Sequence, residues 1–340
     1  MEGSARLSRW HSAVTSASNE DTIRRQAKDF RFHAKMSTSG PLSGLAIALV
    51  GPGRAGTSVA RWCLASGATL RTVTRARARA LPRWAQVAGA RQAGLHELES
   101  TDCDLLLLAI PDGALADAAQ RLAERPQARV VLHTSGRLDA EVLAPLRRQG
   151  CFVGGLHPLR AFPRPLPALA VARRTFLALQ GDGPARDLAG RIAAGIGAPH
   201  AEVPAAMRPL YHLAATLAAA GTVTSLAAAI DVAAAVGVPA AAHQGLCELA
   251  RGAVAAVSSA NPGAALTGPV ARGEVTYIEQ LDALRETRRE LHPLAVVLAL
   301  EALRELAAER PLTPSQVALR AALRDTCEQP GFLDPLLTWV

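Results

Sequence analysis

Lysine is almost missing from this chain: only Lys28 and Lys35 occur in 340 residues, and none follows Met36. A Schiff base or a lysine general acid in the body of the protein is thereby excluded, which leaves His, Asp, Glu, Tyr and Cys as candidate acids and bases. Aromatic residues make up 4% of the chain, so Ala and Leu rather than rings must fill its cores. The five cysteines (Cys63, Cys103, Cys151, Cys247, Cys327) are odd in number and contain no Cys-x-x-Cys pair. That pattern argues against a disulfide framework and a zinc site, and it suits reduced thiols in a cytoplasmic protein. A fourth absence is local: between Gly51 and Glu97 there is no Asp or Glu.

What is present in quantity is arginine. The formal charge of +8 is spread over amphipathic segments without aromatic interleaving, which points away from a nucleic-acid face and toward small anionic ligands. Residues 1–40 are polar, rich in Ser, Arg and His, and lack an apolar signal region. They are expected to be disordered, or an extension ahead of a start at Met36.

The most informative stretch is the run Ala46-Ile47-Ala48-Leu49-Val50, which breaks into Gly51-Pro52-Gly53-Arg54-Ala55-Gly56 and continues as a helical pattern. Strand, glycine turn and helix in that order are the context that makes Gly-x-Gly-x-x-Gly a dinucleotide signal. Gly51 would permit the turn, Gly53 the approach of a pyrophosphate, and Gly56 close packing of helix on strand. A second strand, Ala68 to Thr74, ends where the adenosine ribose is read. The acid-free interval and the arginines at Arg75, Arg77 and Arg79 favour a 2′-phosphate there, hence NADP rather than NAD. A short strand at 90–93 and a fully apolar one, Asp104 to Ile110, follow. The turn Ile110-Pro111-Asp112 then lies at the ligand edge of the sheet. Strands at 129–132, 151–156, 175–179 and 201–203 complete the pattern, with a helix at 185–196.

From Met207 strand signals stop. Leu213 to Ile230 is uncharged over a length that raises a membrane span. Its Ala, Gly, Thr and Ser content, the closing Asp231 and the lack of flanking anchors favour a helix buried in a helical domain or dimer interface instead. Further helices are expected at 240–258, 275–285, 287–308 and 314–325, the last capped by Thr313, with 261–274 a Gly/Pro-rich loop. The expected organisation is α/β: a Rossmann NADP-binding domain at 41–205, then an all-α substrate and dimerisation domain at 206–330 and a tail at 331–340.

Five strings together resemble Rossmann-like proteins that carry a C-terminal helical domain of unknown function. They are Gly51 to Gly56, His133-Thr134-Ser135-Gly136, Gly155-Leu156-His157-Pro158-Leu159, Tyr211-His212, and Ala265 to Gly273. Such proteins are similar to the 6-phosphogluconate dehydrogenase superfamily, alongside prephenate dehydrogenases, pyrroline-5-carboxylate reductases and ketopantoate reductases. The resemblance implies an NADP-dependent oxidoreductase acting on a small anionic substrate. The apolar helix at Leu213 to Ile230 adds the expectation of a homodimer through the helical domain, and neither membrane nor nucleic acid is expected as a partner. The chain departs from the family pattern at Glu274, where Asp is usual, at Ala220, where Asn is usual, and at Gln280, where His is usual.

A reductase needs a proton donor beside the carbonyl or imine, a role that suits histidine near neutral pH. His157 is the first candidate, since it closes a strand at the ligand edge and resembles the His-Pro element of prephenate dehydrogenases; the alternative is a cap on the turn before Pro158. His212 beside Tyr211 is a second candidate or a packed interface residue, and His133 reads as structural. Ser135 either meets the nicotinamide amide or substrate or closes its own turn. Tyr211 is a candidate substrate contact, and Arg272 either clamps a substrate carboxylate or forms a salt bridge. Two other functions stay open: an NADP-binding sensor or scaffold without catalysis, suggested by Ala220 and Gln280, and oxidative decarboxylation of a prephenate-like or arogenate-like substrate.

Overall fold

A computed structural model describes residues 40–74, 80–98, 103–124 and 128–337. The expectations for residues 1–39 and for Arg75, Arg77 and Arg79 fall outside them.

The apolar runs become strands and the patterns between them helices: β1 (Ala46–Val50), α1 (Arg54–Ala65), β2 (Thr69–Thr74), β3 (Arg91–Gln92), β4 (Leu105–Leu108), α2 (Asp112–Leu122), β5 (Val130–His133), β6 (Phe152–Leu159), β7 (Phe176–Gly181), α3 (Gly183–Ile196) and β8 (His200–Glu202). Among the described residues these strands form one sheet in the order β3-β2-β1-β4-β5-β6-β7-β8. β1 to β6 are parallel, and only β7 reverses against β6. The fold is therefore α/β with a parallel-dominated Rossmann sheet, followed by a helical region.

Alternation on β4 shows the layering. Leu105 and Leu107 enter one core with Val59 and Trp62 of α1 and Leu188 and Ile192 of α3, while Leu106 and Leu108 enter the other with Leu115 and Leu122 of α2. A strand covered on both faces must be apolar at every position, and each buried leucine contributes roughly 1.5–3 kcal/mol of transfer free energy. The Pro-rich segment after β6 is pinned to α1: the Trp62 indole donates to the Leu166 carbonyl at 2.7 Å, and Ser58 Oγ accepts the Leu166 N–H at 2.8 Å.

One register row fixes the geometry of the ligand edge. Val50 pairs with Leu108, Leu108 with His133, and His133 with Gly155, so the carboxyl ends of β1, β4, β5 and β6 lie in line. β6 runs three residues beyond the expected Leu156, carrying His157 within the strand rather than in a turn after it. The cause is β7, which pairs antiparallel across it, His157 opposite Ala178 and Pro158 opposite Leu177. β5 stops pairing at Gly155. Pro158 therefore lies past β5, where its missing N–H breaks no bond on that side.

After β8 come α4 (Arg208–Thr216), a π-helical turn (Leu217–Gly221), α5 (Thr222–Ala235), α6 (Ala242–Ser259), α7 (Tyr277–Thr287), α8 (His292–Glu309) and α9 (Pro314–Glu328). Contacts divide the chain after Ala219, which groups α4 with the sheet. The core of the helical unit is Leu281, Val296, Leu303, Leu306, Leu319 and Leu323, from α7, α8 and α9. Thr313 caps α9 through a reciprocal box with Gln316, as its position suggests. The expected loop at 261–274 instead holds two short helices, Pro262–Ala265 and Gly268–Arg272. Both prolines sit in a first turn, where a missing N–H is harmless, and Gly273 at φ 72° ends the second. α5 and α6 contribute no buried residue. Burial in the sheet core pushes the Cys63 thiol up to about 12.

Candidate functional site

The glycine turn shows three separate constraints. Gly51 has φ 88° and donates to the Thr74 carbonyl at 3.0 Å, and a Cβ there would lie 2.4 Å from the Ala109 carbonyl oxygen. At Gly56 a Cβ would fall 2.4 Å from the Gly51 carbonyl and 2.7 Å from Ala109 Cβ. Around Gly53, by contrast, a Cβ would meet nothing within 4 Å. Gly53 is the N-cap of α1 and brings no side chain to cap it, so the first-turn N–H groups of Arg54, Ala55 and Gly56 have no intrahelical partner. An open glycine before uncapped N–H groups, with no acid nearby in sequence, is a fit for a phosphate. Pro52 accepts the Thr57 hydroxyl at 3.2 Å and holds the turn's shape. Thr74 closes β2 with its hydroxyl buried and unpartnered. On β4's side of the edge, Ile110 and Pro111 lead into α2, where the Asp112 carboxylate faces Arg137 at 3.4 Å.

At the far end of the register row, β5, β6 and α4 bring a second group together. His133 is fully buried and satisfied: Nδ1 accepts the Ser135 N–H at 3.1 Å, which leaves the proton on Nε2 to donate to the Asp139 carbonyl at 3.2 Å. Burial, then the Arg208 charge, push its pKa down to about 4. Ser135 Oγ accepts the N–H groups of Arg137 and Leu138 at 3.2 and 2.9 Å, which is the turn-closing role. Gln180 lies buried across Gly155 and donates to the Leu138 carbonyl at 2.9 Å.

His157 is different. Its Nδ1 is 2.8 Å from the hydroxyl of Tyr211, one of only two tyrosines in the chain, and the rings meet edge to face. Burial pushes the Tyr211 pKa up to about 12, so the phenol keeps its proton and serves Nδ1 in either ring tautomer, donating when Nδ1 is bare and accepting when Nδ1 carries the proton and leaves Nε2 free to accept one. His157 itself is pushed down to about 4, by burial first, then by the Arg208 and His212 charges against a smaller opposing pull from Asp112. Gly136 makes room for this face: a Cβ there would lie 2.8 Å from His157 Nε2 and 2.9 Å from His212 Nδ1. His212 Nδ1 is buried without a partner.

The structure thus gathers His157, Tyr211, His212 and the Ser135–Gly136 turn within the sheet unit. Arg272 lies in the helical unit, where it is ion-paired with Glu274. Two residues the sequence reading passed over belong to the group, Gln180 and Arg208. Arg208 had a signal: three and four residues before Tyr211 and His212, it shares their side of a helix.

Residues 43–158 match the Rossmann-like domain family, and residues 175–300 match DUF2520, a domain of unknown function. The chain is a Rossmann-like domain joined to DUF2520. Among solved structures, a putative NADP oxidoreductase from Bacteroides fragilis is 19% identical with a TM-score of 0.64, over 77% of this chain and 99% of that one. A Thermotoga maritima protein is 22% identical with a TM-score of 0.60, over 75% and 97%. Plasmodium falciparum pyrroline carboxylate reductase, solved with NADP bound, is 12% identical with a TM-score of 0.53, over 82% and 99%. At these identities the likeness is one of fold. No curated protein matches the chain.

Proposed function

We propose that this Rossmann–DUF2520 protein is an NADP(H)-dependent oxidoreductase acting on a small carboxylate-bearing carbonyl, imine or hydroxy compound, with His157 as acid/base. The observation that carries the reading is the register row from Val50 to Gly155, which puts the open Gly53 turn and the His157–Tyr211 pair on one sheet edge. At about 4.8 Å per strand the two are roughly 14 Å apart across the sheet, a span for a dinucleotide laid along the edge. The nicotinamide, when bound, supplies or accepts the hydride. Gly53 and the α1 N-terminus hold the phosphates, Ile110 and Pro111 line the groove, and His157 Nε2 gives or takes the proton at the substrate heteroatom. Solved structures of similar fold that are reductases with NADP or NADP+ bound support the cofactor class.

The expected result is saturable quenching or energy transfer on NADPH binding, with NADH at least about tenfold weaker, since a 2′-phosphate adds charge-assisted bonds worth ~1.5–3 kcal/mol. Equal affinity for both would remove the assignment to the 2′-phosphate form, and no binding of either would remove the proposal. One feature favours a binding protein without catalysis: Ala220 stands where the family resemblance implies a polar Asn, and Gln280 where it implies an ionisable His. Sustained NADPH consumption with any member of a panel of keto acids and imines eliminates that alternative.

We further propose a homodimer through the helical region. The helical stretch Ala205–Ala235 is 31 residues long, its most apolar window has a mean hydropathy of 1.7, long and apolar enough to cross a membrane, and none of that window is buried. Val223 is 68% exposed and Leu249 72%. A patch of this kind marks a docking surface. Asp231 and the Glu248–Arg251 ion pair interrupt it, and such groups find partners in a second protein copy but not in hydrocarbon. Light scattering on purified protein is expected to give twice the chain mass without detergent; a monomer, or recovery only in the membrane fraction, would contradict it.

A further inference from the structure

We propose that Arg208 is the anchor for a ligand carboxylate in this site. The proposal rests on the reading of the His157 cluster as the reacting centre and specifies what that centre holds.

Arg208 is the first residue of α4 and is among the largest fully buried side chains of the protein. Its recorded hydrogen bond is a long one, from Nη1 to the Gly136 carbonyl at 3.4 Å. Nε and Nη2 are buried without any partner, and no described carboxylate forms an ion pair with it. Asp139 acts on it only through space, since that carboxylate accepts the Glu141 N–H instead. Burial pulls the guanidinium pKa down, but an arginine keeps its proton in a protein, so a charge sits enclosed here without a counter-charge.

The free edge has a shape. Nε–H and Nη2–H point the same way and form the fork that a carboxylate accepts with both oxygens. Nη1 of the same guanidinium reaches the Gly136 carbonyl, and against Gly136 His157 Nε2 and the unpartnered His212 Nδ1 converge. A cation is unsuited to this place because Arg208 repels it, and no group of three or more metal-ligating side chains exists among the described residues.

A carboxylate there would do more than hold the ligand. The groups acting on His157 are Arg208, His212 and His133, which lower its proton affinity, and Asp112, which raises it. Neutralising Arg208 removes the largest charge that opposes protonation and brings a negative one close. The ligand would thus prepare its own acid.

The experiment is an Arg Nε–Hε and histidine NMR titration of the full chain with sodium oxalate, in the presence and absence of NADPH, with the Arg208 signal assigned from R208K. Oxalate is expected to shift that signal saturably and to move the His157 midpoint upward by roughly one pH unit. R208Q is expected to show a raised His157 midpoint without oxalate and no response to it. An Arg208 signal that responds to NADPH alone, or to neither ligand, overturns the proposal. If R208Q does not fold, the wild-type titration still decides. Oxalate binding at Arg208 without any NADPH binding would keep the anchor and sink the reductase reading, so the two failures are distinguishable.

Discussion

Replacing Gly51 by valine is expected to destabilise the sheet unit by about 3–5 kcal/mol, while replacing Gly53 by alanine leaves its melting temperature unchanged or slightly higher and weakens NADPH binding by roughly 10- to 100-fold. The two glycines stand two residues apart, yet their environments are opposite. Gly51 is at φ 88°, a conformation a β-branched residue resists, and its Cβ would sit 2.4 Å from the carbonyl oxygen of Ala109, whose N–H is tied to the Val50 carbonyl at 2.8 Å. Relief would require β1 and β4 to part at the row on which the site depends. Gly53 has φ −73° and open space around it, so an alanine there fits the folded chain and reduces the freedom of the unfolded one. What the methyl would occupy is the volume a pyrophosphate needs against the α1 N–H groups. Circular-dichroism melts and fluorescence titration of the two variants separate the effects. A Gly53→Ala protein that binds NADPH as the wild type does would show that the turn is only a turn.

β1, β4 and β5 were legible because their runs are apolar and bounded by glycine, proline or charge, and β2 because it alternates. β6 was misread at its end for a physical reason: Pro158 is a strand breaker by local rule, and it is tolerated because β7 returns to extend the strand on one side while β5 has stopped pairing on the other. The segment 261–274 was misread because proline was counted as a breaker without asking whether it fell in a first turn. The candidate site divides in the same way. His157, Tyr211 and His212 were legible as residue types next to turns and helix starts. Ser135 and His133 turned out to be spent on their own turn, a fact that depends on hydrogen-bond directions no sequence displays. Arg208 was hidden among many arginines because what marks it is the lack of a partner, and Arg272, chosen by motif, has one in Glu274.

His157→Ala is expected to reduce turnover of any substrate that consumes NADPH by about 10²–10⁴-fold, and Tyr211→Phe by less, with a changed pH profile. The distinction follows from the 2.8 Å bond between them. Alanine removes the nitrogen that lies against Gly136, whereas phenylalanine removes only the hydroxyl that orients the ring and influences which nitrogen carries the proton. Burial first, then the Arg208 charge, push the His157 pKa down to about 4, so reduction, which needs the imidazolium, is expected to fall by about tenfold per pH unit above that value in kcat/KM. Oxidation of the alcohol needs the neutral ring and does the reverse, rising through pH 4 to a plateau. In kcat, which reports the ligand-bound state, a carboxylate paired with Arg208 moves the same midpoint upward. A gap between the two profiles that closes in R208Q would tie proton delivery to the occupant of the buried arginine, and coincident profiles in the wild type would mean that His157 works, if at all, without it.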